Sequence, residues 1–135
     1  MANALFDKGR ESFLKGEISW ATDNIKVVCV DSQEYTPDLA AHQFLSDIPA
    51  GGRVATSGNL AGKTTAAGVA DADDVTIVGI TGDQFEYIAI YQDTGNAATS
   101  RLIALLDTAT GLAFTPSGGD LIIQWNNGAN KIFKL

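Results

Sequence analysis

The sequence predicts a mainly β fold, an antiparallel β-sandwich or barrel-like domain that carries an N-terminal helix and one short internal helix. Three observations support this expectation. Turn signals recur at roughly 8–12-residue spacing, the pattern of a sandwich or barrel rather than of βαβ units. The apolar runs between them have strand length. Gly is frequent, at 14, while Pro numbers only 3, and that combination belongs to tight turns rather than to collagen-like or linker sequence. The 135 residues are 45% hydrophobic and 19% charged, which suits one domain over residues 1–135 that needs no metal or disulfide framework. Asp+Glu outnumber Lys+Arg by 16 to 9, a net charge of -7, so the summed field repels phosphate and argues against a nucleic-acid partner.

Ala4 to Lys15 places Leu5, Phe6, Gly9, Phe13 and Leu14 at helical spacings, and Gly16 stops the run, so residues 1–16 read as an N-terminal helical arm. Ile25 to Val30 is continuously apolar apart from Lys26 and ends at Asp31-Ser32, as a central strand buried on one or both faces does. Thr36-Pro37-Asp38 supplies a helix cap followed by Pro at the first helical position, and Leu39, His42, Phe44 and Leu45 would line a short helix up to Pro49. Arg53 to Thr56 is a short strand. Residues 57–68, small, polar and Gly-punctuated, read as a Gly-rich excursion or an extended edge, and the Ala-Asp run 70–74 as a turn.

Val75 to Ile80 and Phe85 to Tyr91, joined by Thr81-Gly82-Asp83, read as a hairpin. Leu102 to Asp107 is a further strand between turns at Asp93-Thr94-Gly95-Asn96 and Ala109-Thr110-Gly111. Asp120 to Trp125 and Lys131 to Leu135 flank Asn126-Asn127-Gly128, a second hairpin signal, because Asn and Gly tolerate the positive φ of primed turns.

The N terminus places Asp7 and Lys8 before any long apolar run, so no signal peptide is expected, and no apolar stretch approaches the ~20 residues that span a bilayer. No membrane partner is therefore expected, and assembly in the cytoplasm is. Cys29, between Val28 and Val30, reads as an inert core thiol.

No motif with chemistry survives inspection. Gly58-Asn59-Leu60-Ala61-Gly62-Lys63-Thr64 resembles a phosphate loop but has three residues rather than four between its glycines, and Thr65-Ala66-Ala67-Gly68 is a poor start for the helix such a loop requires. Asp71, Asp73 and Asp74 echo a calcium loop, yet its fifth position is Val75 and no Gly follows. His42, the single histidine, sits among apolar neighbours and reads as a packing residue. Trp20, Tyr35, Tyr87, Tyr91 and Trp125 lack the basic neighbours of a base-stacking platform, and core or interface packing accounts for them. No catalytic, cofactor-binding or metal-binding residue is assigned, and no enzyme activity is expected.

Several segments nonetheless resemble one family. Ala2-Asn3-Ala4-Leu5-Phe6-Asp7-Lys8-Gly9-Arg10-Glu11 with Phe13-Leu14 and Gly16, Asp23-Asn24-Ile25-Lys26-Val27-Val28, and Phe44-Leu45-Ser46-Asp47-Ile48-Pro49 are similar to a family of small structural proteins of tailed bacteriophages. So are Thr108-Ala109-Thr110-Gly111-Leu112, Thr115-Pro116 with Gly118-Gly119-Asp120, and Trp125-Asn126-Asn127-Gly128-Ala129-Asn130-Lys131-Ile132-Phe133. The segments occur in the same order across nearly the whole chain. The resemblance implies a virion component without catalytic residues, a decoration or cement protein on the outside of the phage head. Its partners would be the major capsid protein and copies of itself, a trimer by analogy with three-fold shell positions. A tail component is the alternative and a small enzyme the least favoured reading. The acidic exterior fits a surface repeated many times beside a packaged genome, and residues 1–10 and 57–68 would serve as arms that order on a partner.

Overall fold

The computed structural model describes residues 3–135; Met1 and Ala2, at the tip of the expected arm, lie outside the described residues. Along the chain run β1 (Ala4–Leu5), α1 (Asp7–Leu14), β2 (Ile25–Val30), β3 (Arg53–Thr56), β4 (Thr64–Ala66) and β5 (Val69–Asp71). β6 (Val75–Ile77), β7 (Tyr87–Gln92), β8 (Arg101–Leu106), β9 (Leu121–Ile123) and β10 (Phe133–Lys134) follow. The fold is mainly β, with antiparallel sheets in a sandwich-like arrangement. A five-stranded sheet has the order β1-β8-β7-β2-β3, a three-stranded one β10-β5-β4, and β6 pairs with β9 as a separate ribbon. No helix among the described residues is long and apolar enough to cross a membrane.

The central strands are apolar on both faces because both faces are covered. From β2, Ile25, Val27 and Cys29 join a core with Trp20, Leu60, Phe85, Trp125 and Phe133, on the side of the two smaller sheets. Val28 and Val30 point the other way, into a second core with Phe6, Tyr35, Leu45 and Ile48. Strict alternation would put Ile103 on one face and Ala104 on the other, but both belong to the first core while Leu102 and Leu105 belong to the second. A β-bulge is the cause. Ile90 pairs with Ala104 and Tyr91 with Leu102, leaving Ile103 as the extra residue and flipping the side-chain order downstream. β3 repeats the device: Cys29 faces Ala55, Val30 faces Arg53, and the unpaired Val54 packs on the same side as Ala55.

The N-terminal segment begins as a strand rather than a helix. Ala4 and Leu5 pair with Leu105 and Ala104, and the alternation sends Leu5 into the first core and Phe6 into the second. A helix from Ala4 would bury only one of the two. The helix that follows ends as expected at Gly16, whose φ of +74 and N–H bond to the Phe13 carbonyl close its last turn. The expected arm is thus built into the sandwich: a Cβ on Gly9 would lie 2.7 Å from the Leu102 carbonyl oxygen and 3.0 Å from that of Ile103, so α1 rests directly on the β8 backbone.

Four other expectations are corrected. The short internal helix before Pro49 is a set of tight turns. Asp38, not Thr36, caps the first of them, its Oδ1 accepting the Ala40 and Ala41 N–H groups. Leu45–Asp47 and Ala50–Gly52 are single 3-10 turns. An α-helix cannot form through Gln43 to Leu45, because these residues hydrogen-bond to the entry of β8: Leu102 donates to the Gln43 carbonyl and Leu45 to that of Ser100. Residues 57–60 continue along β2 as an extended edge, and the chain then folds into the β4–β5 hairpin, closed by Ala67 and Gly68 at φ +52 and +78, so that the 70–74 run opens as strand and not as turn. β6 does not pair with β7. It turns away at Gly79 (φ +60) and takes β9 as partner, while β7 lies between β2 and β8. Finally, β10 pairs with β5 rather than with β9, because Asn126 Oδ1 captures the Gly128 N–H in a local turn that does not return the chain along β9.

The contact under Gly9 gives a direct test. Gly9→Ala must push α1 away from β8 and is expected to destabilise the fold by about 1–3 kcal/mol despite the better helix propensity of Ala. Thermal unfolding followed by circular dichroism checks it, and an unchanged or raised melting temperature would contradict this packing.

Candidate functional site

Ser57, Lys63, Asp74 and His42, side chains within the segments singled out for chemistry, form hydrogen bonds that hold the fold. In the imitation phosphate loop, the Ser57 N–H donates to the Val27 carbonyl and Leu60 to that of Ile25, so the loop backbone continues the pairing along β2. The Ser57 hydroxyl accepts from the Val27 N–H at 2.9 Å and donates to the Gly58 carbonyl at 2.8 Å. Lys63 Nζ donates to the Asp23 carbonyl; burial lowers its pKa, with the Asp23 carboxylate opposing. The Asp73 carboxylate lies against Gly62 where a Cβ would collide with it. A negative group therefore stands beside Gly62, which disfavours an anion there.

Asp71, Asp73 and Asp74 are spread along the entry to β6 and anchor the two tryptophans. The Trp20 indole N–H donates to the Asp71 carbonyl at 3.1 Å and that of Trp125 to the Asp73 carbonyl at 3.0 Å, while Asp74 Oδ1 accepts the Trp125 backbone N–H. Among the described residues no group of three His, Cys, Asp or Glu side chains converges as a metal site would. His42 Nδ1 accepts the Asp38 N–H at 3.1 Å and lies 2.7 Å from the Tyr35 hydroxyl, which therefore donates to it. That nitrogen is occupied, so the ring serves to close the 35–42 turn over the second core. Trp20, Tyr35, Tyr91 and Trp125 are buried, in keeping with packing roles.

A feature with room for a ligand is a gap in the second layer. The three-stranded sheet and the β6–β9 ribbon do not pair with each other, and a groove of about 600 Å³ opens between β9 and the start of β10. Ile88 and Leu106 form its floor, and Ile123, Trp125 and Ile132 line its walls. Near β1 it is continuous, through Asn3, Leu106 and Ile132, with a space of about 260 Å³ bordered by Arg10 and Lys134. At the other end it meets a pocket of about 100 Å³ walled by Leu112 and Phe114. Sequence reasoning did not find this groove. The available signal was the run Leu121-Ile122-Ile123, in which a two-stranded ribbon with one covered face leaves the middle residue outward: Ile122 is 59% exposed.

Comparison with known proteins returns no matching family model and no matching curated protein.

Cys29 is fully buried at the centre of β2, and desolvation pushes its thiol from an ordinary 9.0 up to about 12. Tyr91 is raised likewise from 10.0 to about 12, by burial first and the nearby Asp93 second. A group whose pKa is higher folded than unfolded contributes stability that is complete below its unfolded pKa and is lost as pH climbs to the folded one. Stability is therefore expected to fall between pH 9 and pH 12, as the unfolded chain sheds protons the native state retains. Melting temperatures across that window check the slope. Iodoacetamide at pH 9 should leave native Cys29 unmodified and alkylate it only after denaturation; rapid labelling of the native protein would contradict its burial.

Proposed function

We propose that this protein is a virion structural protein of a tailed bacteriophage, a decoration or cement protein that binds the outer surface of the head and stabilises contacts between major capsid subunits. The observation that carries the reading is the ordered resemblance of six sequence segments, from Ala2 to Phe133, to small phage structural proteins. The structure adds two supports. His42 closes a loop with Tyr35 and the Asp74 carboxylate holds the Trp125 backbone, which suits side chains that serve a scaffold. The apolar groups left outward, Leu14, Val78, Ile122 and Leu135, together with the groove, offer contact surface to a neighbouring subunit.

The contacts differ in kind from flexible arms. Residues 3–10 and 57–68 are both folded against the sandwich, so capsid binding would use preformed surface and lose little conformational entropy on docking. A tail protein that joins subunits around a ring would need an edge strand and a long loop, and residues 57–68, which run along β2 and into the β4–β5 hairpin, are not such a loop. The net charge of -7 suits the solvent side of a DNA-filled shell.

Electron microscopy of purified particles carrying a label at Leu135, an exposed chain end, tests the proposal. Label spaced regularly over the head is the expected result. Label confined to the tail would replace this reading with the tail alternative, and particles lacking the protein would reject both.

A further inference from the structure

The gap in the second layer has the shape of an absent strand. On one side is β9, whose residues Leu121 to Ile123 pair with β6 alone; among the described residues no other backbone hydrogen bond involves them. On the other is β10, two residues long, paired with β5 alone. Between them a groove opens that is lined by the partly exposed Leu106 and reaches down to the buried Ile88. An unpaired strand edge beside a groove with apolar side chains at its base is the arrangement that accepts an added strand: backbone hydrogen bonds hold it, and every second side chain turns into the groove.

The charge around the groove says which kind of strand. Of the 16 acidic residues in the chain none lines the groove or its continuation toward β1, whereas Lys131, Lys134 and Arg10 do. Arg10 is paired with Asp7 at 3.0 Å. Among the described residues Lys131 and Lys134 form no ion pair, in contrast to Lys8, Lys26 and Arg101, which hold Glu11, Asp93 and Glu17. A protein of net charge -7 therefore keeps two unpaired C-terminal lysines at the rim of this groove, which mixes apolar side chains with Asn3, Thr108, Gln124 and Asn126, and there they complement a partner's carboxylates.

We propose that this groove is a strand-addition site for an extended segment of a partner polypeptide, apolar on one side and bearing carboxylates on the other. The segment pairs with the free edge of β9, seats its apolar side chains over Ile88 and Leu106, and meets Lys131 and Lys134 with its acidic ones. The proposal goes beyond the virion reading and does not depend on it, since an acidic extended segment can belong to any partner.

The probe is an end-blocked nonapeptide of alternating Val and Glu, with an alternating Val and Lys peptide as control. Titration calorimetry is expected to show saturable binding of the Glu peptide that weakens with added salt. Hydrogen exchange should show slowed exchange of the β9 amides. Lys131→Glu with Lys134→Glu should weaken binding by about tenfold or more, and Ile122→Glu, on an exposed side chain, should do the same without lowering the melting temperature. Equal binding of the two peptides, protection outside β9, unchanged affinity of the lysine double variant, no binding at all, or self-association of the free protein through β9 would each overturn it.

Discussion

The structure depends on one constraint: β2, β7 and β8 are apolar on both faces, and each face must be covered by something else in the chain. A fully buried Ile, Leu or Val contributes about 1.5–3 kcal/mol only when water is excluded from it, and the central strands supply such residues on both sides. The rest of the fold is arranged to meet that demand. The two smaller sheets cover one face, and the turns from Asp31 to Ile48, with Phe6, cover the other. The bulge at Ile103 belongs to the same solution, since it lets four successive apolar side chains of β8 be shared two and two between the cores.

Cover on the first face is incomplete, and the groove is the consequence. Ile88 and Leu106 belong to the same sheet face as Ile90 and Ile103, yet β9 and β10 stop short of one another above them. Leu106 is left partly exposed there, beside a groove that no acidic residue lines and that two unpaired lysines border.

Local signals were legible wherever a residue's neighbours in sequence decide its conformation. The continuous apolar run Ile25 to Val30 identified a central strand, Gly16 marked the end of α1, and Cys29 was recognisable as a core thiol from Val28 and Val30 alone. The false phosphate loop was dismissed on spacing, and Asp73 against Gly62 supplies an independent structural reason. The errors share a cause. Phe44 and Leu45 have helical spacing from Leu39 but are drawn out beside β8, and Leu5-Phe6 fits a helix until the two cores on either side of β1 are known. In each case tertiary pairing outweighs local propensity, which differs among residues by less than about 1 kcal/mol.

By itself, then, the sequence determined the fold class, the identity of the central strands, the acidity of the surface and the burial of its thiol, because composition and short-range patterning carry those properties. Strand partners were decided only by the tertiary structure. Two tight-turn signals, at Thr81-Gly82-Asp83 and Asn126-Asn127-Gly128, suggested neighbours in sequence as neighbours in space, but β6 pairs with β9 and β10 with β5. Turn chemistry specifies that a chain reverses, whereas the partner it meets depends on which apolar face is still uncovered when the sheets assemble, and that is a property of the whole molecule.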